Sequence, residues 1–172
     1  MIPLVVCGLL GAWVQESPPA SASRPPVVIK FKELVEKLHG WRGEVVVVDF
    51  WSDGCLSCKR DFPQLVRLHG KLKKQGLVCV SVNLDEPSDA RLMAAVKKFL
   101  AEQKADFDHF ILDEESATWQ KQIGVAGPPV VFVFGRDGKL ARKFDGSDDP
   151  NGEVNYQHLE ELVVKLLKQP RP

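Results

Sequence analysis

The chain is expected to fold as an α/β domain, with a central mixed β-sheet flanked by helices on both faces. Three observations predict this. Apolar β-branched runs alternate with segments of helical periodicity along most of the sequence. The run EVVVVDFW at 44–51 is apolar almost without interruption, as in a strand covered on both sides. An Asp-Gly step at 137–138 joins two strand-like runs near the C-terminus, which implies a hairpin and so adds antiparallel pairing.

Taken in order, residues 31–40 place Phe31, Leu34, Val35 and Leu38 at helical spacing and stop at Gly40. The strand 44–51 follows. Residues 56–75 read as a helix with Leu65, Val66, Leu68 and Leu72 on one side, and Pro63 is expected to kink it. GLVCVSVNL at 76–84 is a second buried strand. Residues 88–103 form a helix with Ser88 or Asp89 as its N-cap. Residues 107–113 give a short strand, and 116–124 a short helix ending at Gly124. The strand 129–135, the turn 136–139 and the strand 140–144 make the hairpin. A polar loop at 145–155 leads into an amphipathic helix at 156–169. Strands alternating with helices imply parallel pairs covered on both faces.

The 172 residues include 23 Lys plus Arg and 23 Asp plus Glu, so the formal net charge is zero. That balance offers nucleic acid no electrostatic attraction. The basic run KLKKQ at 71–75 is expected to be a solvated face at a helix end. Residues 2–14 carry no charge, fit the apolar core of a signal peptide, and are too short for a comfortable membrane span. Residues 1–14 are therefore expected to be a signal peptide or short membrane anchor, although no Lys or Arg precedes the apolar run. Residues 15–26 are expected to be a Pro/Ser-rich linker, with the folded domain at 27–172. The protein is expected to be exported, to a periplasmic or other extracytoplasmic location, and monomeric.

The chemistry concentrates at Cys55 and Cys58. A strand ends, a short turn follows, and Cys-x-x-Cys opens a helix. Unpaired N–H groups and the positive end of the helix dipole favour a thiolate there, which makes Cys55 nucleophilic near neutral pH. Cys58 lies one turn further on, within reach of a mixed disulfide. Lys59 adds positive charge and Asp53 opposes it. A zinc site would need two further ligands, and His39, His69, His109 and His158 lack ligand spacing. No metal and no diffusible cofactor is expected, because the cysteine pair is itself the redox group. Cys79, set among valines, reads as a small buried hydrophobe. Trp41 and Trp119 read as packing residues.

The segment VDFWSDGCLSCKRDFP at 48–63 resembles thioredoxins. Asp49 lies six residues before Cys55, where that family carries a buried acid that moves protons to and from the second cysteine. Trp51 matches the family's tryptophan and is assigned to the substrate-facing surface. Pro63 matches the proline of the active-site helix. GVAGPPVVFVFGRDGKLARKFDG at 124–146 resembles the segment in which a cis-proline faces the cysteines, and the register makes Pro129 that residue. VNLDE at 82–86, followed by an inserted helix and strand, is similar to the TlpA/ResA-type thioredoxins, which are exported reductants. Glu86 falls where those proteins carry a glutamate, or it caps the next helix. The resemblance implies a thioredoxin-like fold over 44–168, protein disulfide or dithiol substrates, and a thiol electron donor such as a membrane thiol transporter.

The sequence also departs from the family. Leu56-Ser57 replaces the usual dipeptide between the cysteines, and reduction potentials across the fold span about −270 to −120 mV. The direction of electron flow therefore stays open between a reductant and an oxidant or isomerase. A binding module with a static disulfide is the further alternative. Gly54 stands where many relatives have Trp. Pro128, just before the expected cis-proline, has no N–H to offer a substrate backbone, so substrate pairing is expected to be weak or one-sided there.

Overall fold

A computed structural model describes residues 23–147 and 153–172. Six strands form one sheet in the order β1-β4-β3-β2-β5-β6. The strands are β1 (Val27–Ile29), β2 (Val45–Trp51), β3 (Leu77–Asn83), β4 (Asp108–Leu112), β5 (Val130–Phe134) and β6 (Leu140–Phe144). β1, β4, β3 and β2 run parallel to their neighbours. β5 is antiparallel to β2, and β6 to β5. The sheet is mixed, as the hairpin required.

The helices are α1 (Phe31–Gly40), α2 (Leu56–Leu72), α3 (Ala90–Gln103), α4 (Ser116–Ile123) and α5 (Tyr156–Leu167). Side chains alternate across a strand, so β2 feeds two cores. Val46, Val48 and Phe50 pack with Leu34 of α1 and with Trp119 and Ile123 of α4. Val45, Val47 and Trp51 pack on the other face with residues of α2, α3 and α5. All seven residues of β2 are buried, which explains why the strand is apolar except at Asp49.

Several boundaries differ from expectation for local reasons. α2 ends at Leu72, and residues 73–75 tighten into a 3-10 turn that closes on Gly76 at φ 96°. Pro63 lies inside α2, where it has no N–H to donate to the Lys59 carbonyl. Asp89 caps α3, accepting from the Arg91 and Leu92 N–H groups at 2.9 and 3.0 Å. The strand β1 was not expected: three residues show no periodicity, and it forms by pairing with β4. Packing also reaches back into the expected linker. Arg24 pairs with Asp108 at 2.7 Å, and its N–H donates to the Ala105 carbonyl at 3.4 Å. The expected signal or anchor segment, 1–14, lies outside the described residues. No helix among the described residues is long and apolar enough to cross a membrane.

Buried Arg136 ties the edge of the sheet opposite the cysteines. Its guanidinium donates to the Gly43, Gln75 and Leu167 carbonyls at 2.6, 3.2 and 3.1 Å. Three carbonyls that would otherwise be stranded at the ends of different elements thus share one planar donor.

Candidate active site

The parallel strands all point their carboxyl ends to one edge. Ligand sites of open α/β sheets lie outside that edge, where connections leave a strand in opposite directions. β2 is the last of the parallel strands: the chain leaves its carboxyl end toward β3, and antiparallel β5 borders its other side. The turn that follows β2 carries the cysteines.

Cys55 is the N-cap of α2, and Cys55 and Cys58 form a disulfide with their Cα atoms 5.3 Å apart. The Cys58 N–H donates to Cys55 Sγ at 3.3 Å, so the sulfur occupies the place of a capping oxygen. The Ser57 hydroxyl lies 3.5 Å from the same sulfur. The two cysteines differ in access: Cys55 is half-buried, while Cys58 is 3% exposed and belongs to the core. Leu56, between them, is 81% exposed.

The turn is tethered from β3. Asp85 Oδ2 accepts the Asp53 backbone N–H at 2.6 Å and the Asn83 side-chain amide at 2.8 Å. Asp53 in turn pairs its carboxylate with Lys59, whose ammonium also sits 5.5 Å from the centre of the Phe99 ring. The positive charge expected to act on the cysteines is thus largely taken up by Asp53. Sequence reasoning missed Asp85. Its signal was Asn83 two residues before it at the end of a strand, the spacing of a side-chain turn.

Asp49 sits on the α2 and α5 side of β2 and is 3% exposed. Its carboxyl is pushed up to about 7, mainly by burial and then by the nearby charge of Asp61. The Tyr156 hydroxyl, from the first turn of α5, donates to it and works in the opposite direction. Burial also pushes the Cys79 thiol up, and the charge of Asp49 adds to that. Tyr156 was missed by sequence reasoning, because only folding brings the start of α5 under the end of β2. An acid that titrates near neutrality can both accept and donate a proton at ordinary pH.

The peptide bond between Pro128 and Pro129 is cis, and both prolines are half-buried. Phe50 pairs with Val130, so continuing the antiparallel register sets Pro129 opposite Trp51, at the base of the cysteine turn. Trp51 itself corrects the expectation of a substrate-facing residue. It is fully buried, with its ring 5.8 Å from Phe62 and 5.0 Å from Phe99. It supports the helix that carries Cys58 rather than meeting a partner. Glu86 is exposed and accepts from the Ser88 hydroxyl at 3.1 Å, in the turn before α3. The acid that reaches the cysteine turn is its neighbour Asp85. Among the described residues, no group of three or more His, Cys, Asp or Glu side chains is placed to hold a metal ion.

A family model described as thioredoxin-like matches residues 43–140, which hold the strand, the cysteines and the Pro128–Pro129 step. The chain belongs to the thioredoxin-like family. Thiol-disulfide oxidoreductase ResA of Bacillus thuringiensis subsp. konkukian is 25% identical over 174 residues, covering 96% of this chain and 93% of that protein. Protein DipZ of Mycobacterium tuberculosis is 28% identical over 135 residues, which cover 78% of this thioredoxin-like chain and 18% of DipZ. Among solved structures, a Chlorobium tepidum protein assigned as thiol:disulfide interchange protein DsbE is 27% identical with a TM-score of 0.59, over 76% of this chain and 84% of that one. A thiol-disulfide isomerase from Corynebacterium glutamicum shares the fold at TM-score 0.61 and 22% identity, over 76% and 85% of the two chains.

Proposed function

We propose that this protein is an exported thiol–disulfide oxidoreductase that reduces disulfides of partner proteins through Cys55 and Cys58. The observation that carries the reading is the pairing of the two sulfurs at the N-terminus of α2, one reachable and one buried. In the reduced state the Cys55 thiolate attacks one sulfur of a partner disulfide. A Cys55–partner disulfide forms and the partner's other sulfur leaves as a thiolate, which takes up a proton. Cys58, deprotonated, then attacks Cys55 Sγ. The Cys55–Cys58 disulfide forms and the partner's second sulfur leaves. Two electrons pass to the partner, and the cysteine pair is oxidised.

Asp49 is the group suited to take the Cys58 proton, since it is buried on the α2 side of β2 and titrates near 7. Pro128 and Pro129 form the wall against which the partner chain lies. Glu86 is the more distant acid at the same sheet edge. The oxidised pair is returned to the dithiol by a thiol electron donor, a membrane thiol transporter in the TlpA/ResA-type reading. Residues 1–14 direct export or anchor the domain, and 15–26 lead into it.

Titrating the protein in a dithiol redox buffer measures the potential of the pair. A reversible two-electron transition near about −270 mV supports a reductant, whereas one near about −120 mV reverses the direction and leaves the chemistry intact. With Cys58→Ser, mixed disulfides through Cys55 should accumulate. If no mixed disulfide forms, the pair is a static crosslink and the reading is wrong.

A further inference from the structure

Three groups near Cys55 could favour its thiolate: Lys59, the Cys58 N–H and the Ser57 hydroxyl. Lys59 is engaged elsewhere, paired with the Asp53 carboxylate and packed over Phe99. The Cys58 N–H already points at the sulfur from 3.3 Å, as any N-cap geometry requires. Ser57 differs, because nothing in helix geometry obliges a hydroxyl to face the capping atom. Its Oγ nevertheless stands 3.5 Å from Cys55 Sγ, an ordinary distance for an O–H···S hydrogen bond. Ser57 is half-buried, so water competes with it only in part.

We infer that Ser57 is a further catalytic residue: its hydroxyl donates to the Cys55 sulfur once the disulfide is reduced and thereby sets how readily Cys55 becomes a thiolate. The inference rests on the oxidoreductase reading above. In the disulfide, Cys55 Sγ carries no formal charge and the hydroxyl gains little by donating. In the reduced form the sulfur gains a full charge, and hydrogen bonds to ionised acceptors are the strong ones. The hydroxyl therefore stabilises the reduced state relative to the oxidised one. It makes the pair a weaker reductant and a better nucleophile at neutral pH. Leu56, 81% exposed, has no polar group that could serve in its place.

The test compares the wild type with Ser57→Ala and Ser57→Thr. The rate of alkylation of the reduced protein by iodoacetamide is followed against pH, and the thiolate by its ultraviolet absorbance. In Ser57→Ala the half-point of both profiles should rise by about one pH unit, the size expected for losing one hydrogen bond to a charged atom. The equilibrium with a reference dithiol above that half-point should shift about tenfold toward the disulfide, or about 30 mV more negative. Ser57→Thr keeps the hydroxyl and should return both readouts toward the wild type. A structural role for Ser57 would change stability but leave both profiles in place. If Ser57→Ala keeps the wild-type profile while the pair still exchanges disulfides, this inference alone is overturned. If the wild type itself does not exchange, the proposed function fails with it.

Discussion

The Asp53 backbone N–H donates to Asp85 Oδ2 at 2.6 Å, joining the turn before Cys55 to the end of β3. The same oxygen accepts from the Asn83 amide, and the Asn83 side-chain oxygen accepts the Asp85 N–H at 3.1 Å. The cysteine turn is thus held by the neighbouring parallel strand and not only by the helix it starts.

Asp85→Ala removes the acceptor for two donors. The expected loss is about 1.5–3 kcal/mol of stability in urea, the range for hydrogen bonds to a charged group. Hydrogen exchange of the Asp53 amide should accelerate more than that of the amides in β2. An Asp53 amide that exchanges at the wild-type rate would show that the tether does not hold the turn.

Asp49 makes stability depend on pH in a definite direction. Its carboxyl titrates near 7 in the folded protein, against 3.8 for a free aspartate side chain. Below the lower value both states are protonated and nothing is lost. Between the two, the unfolded chain releases the proton that the folded one keeps, so stability falls as pH rises. Above 7 the full cost is present, about 4 kcal/mol at most. Asp49→Asn should therefore gain over the wild type between pH 5 and pH 8, as read from denaturant midpoints. A constant difference across that range would refute the assignment. The same variant should slow resolution of the Cys55–partner disulfide by Cys58 most near neutral pH, where a thiol needs a proton acceptor, and less at alkaline pH, where a thiol ionises without one.

Arg136→Ala leaves the Gly43, Gln75 and Leu167 carbonyls without their donor and removes the partner lying 3.7 Å from Glu44. Glu44 keeps Arg171 at 2.9 Å, so the cost is that of the unsatisfied carbonyls, about 1–3 kcal/mol. Lysine has no planar fork to reach three carbonyls at once, so Arg136→Lys should recover less than half. Thermal or urea unfolding measures both. A near-neutral Arg136→Ala would mean that water replaces the guanidinium.

Pro128→Thr restores a backbone N–H at the residue before Pro129, beside the cysteine turn. Binding of a partner trapped on Cys55 through Cys58→Ser should tighten by about 3–10-fold, the worth of one net hydrogen bond. No gain would mean that a partner does not pair its backbone at that position.

Much of the molecule was legible before folding was considered. Elements governed by neighbours in sequence show themselves as periodicity, caps and turns. The run of valines and aromatics around Asp49 became β2, Asp89 became a cap, and the Asp137-Gly138 step joined β5 to β6. The cysteine pair was legible for the same reason, since its chemistry needs only a four-residue spacing at a helix start. Partnerships between distant residues were not. Tyr156 bonds Asp49, Asp85 reaches Asp53, and Arg136 gathers carbonyls from three separate stretches of chain. β1 forms only because the edge of β4 offers it hydrogen bonds.

The sequence by itself determined the alternation of strands and helices, the mixed sheet and the reactive pair, because each depends on local pattern. The tertiary structure alone decided that Trp51 is sealed beneath Phe62 and Phe99, that Asp49 titrates near 7, and that Lys59 spends its charge on Asp53. Burial and electrostatics are set by what packs against a side chain, and that is fixed only when distant elements meet.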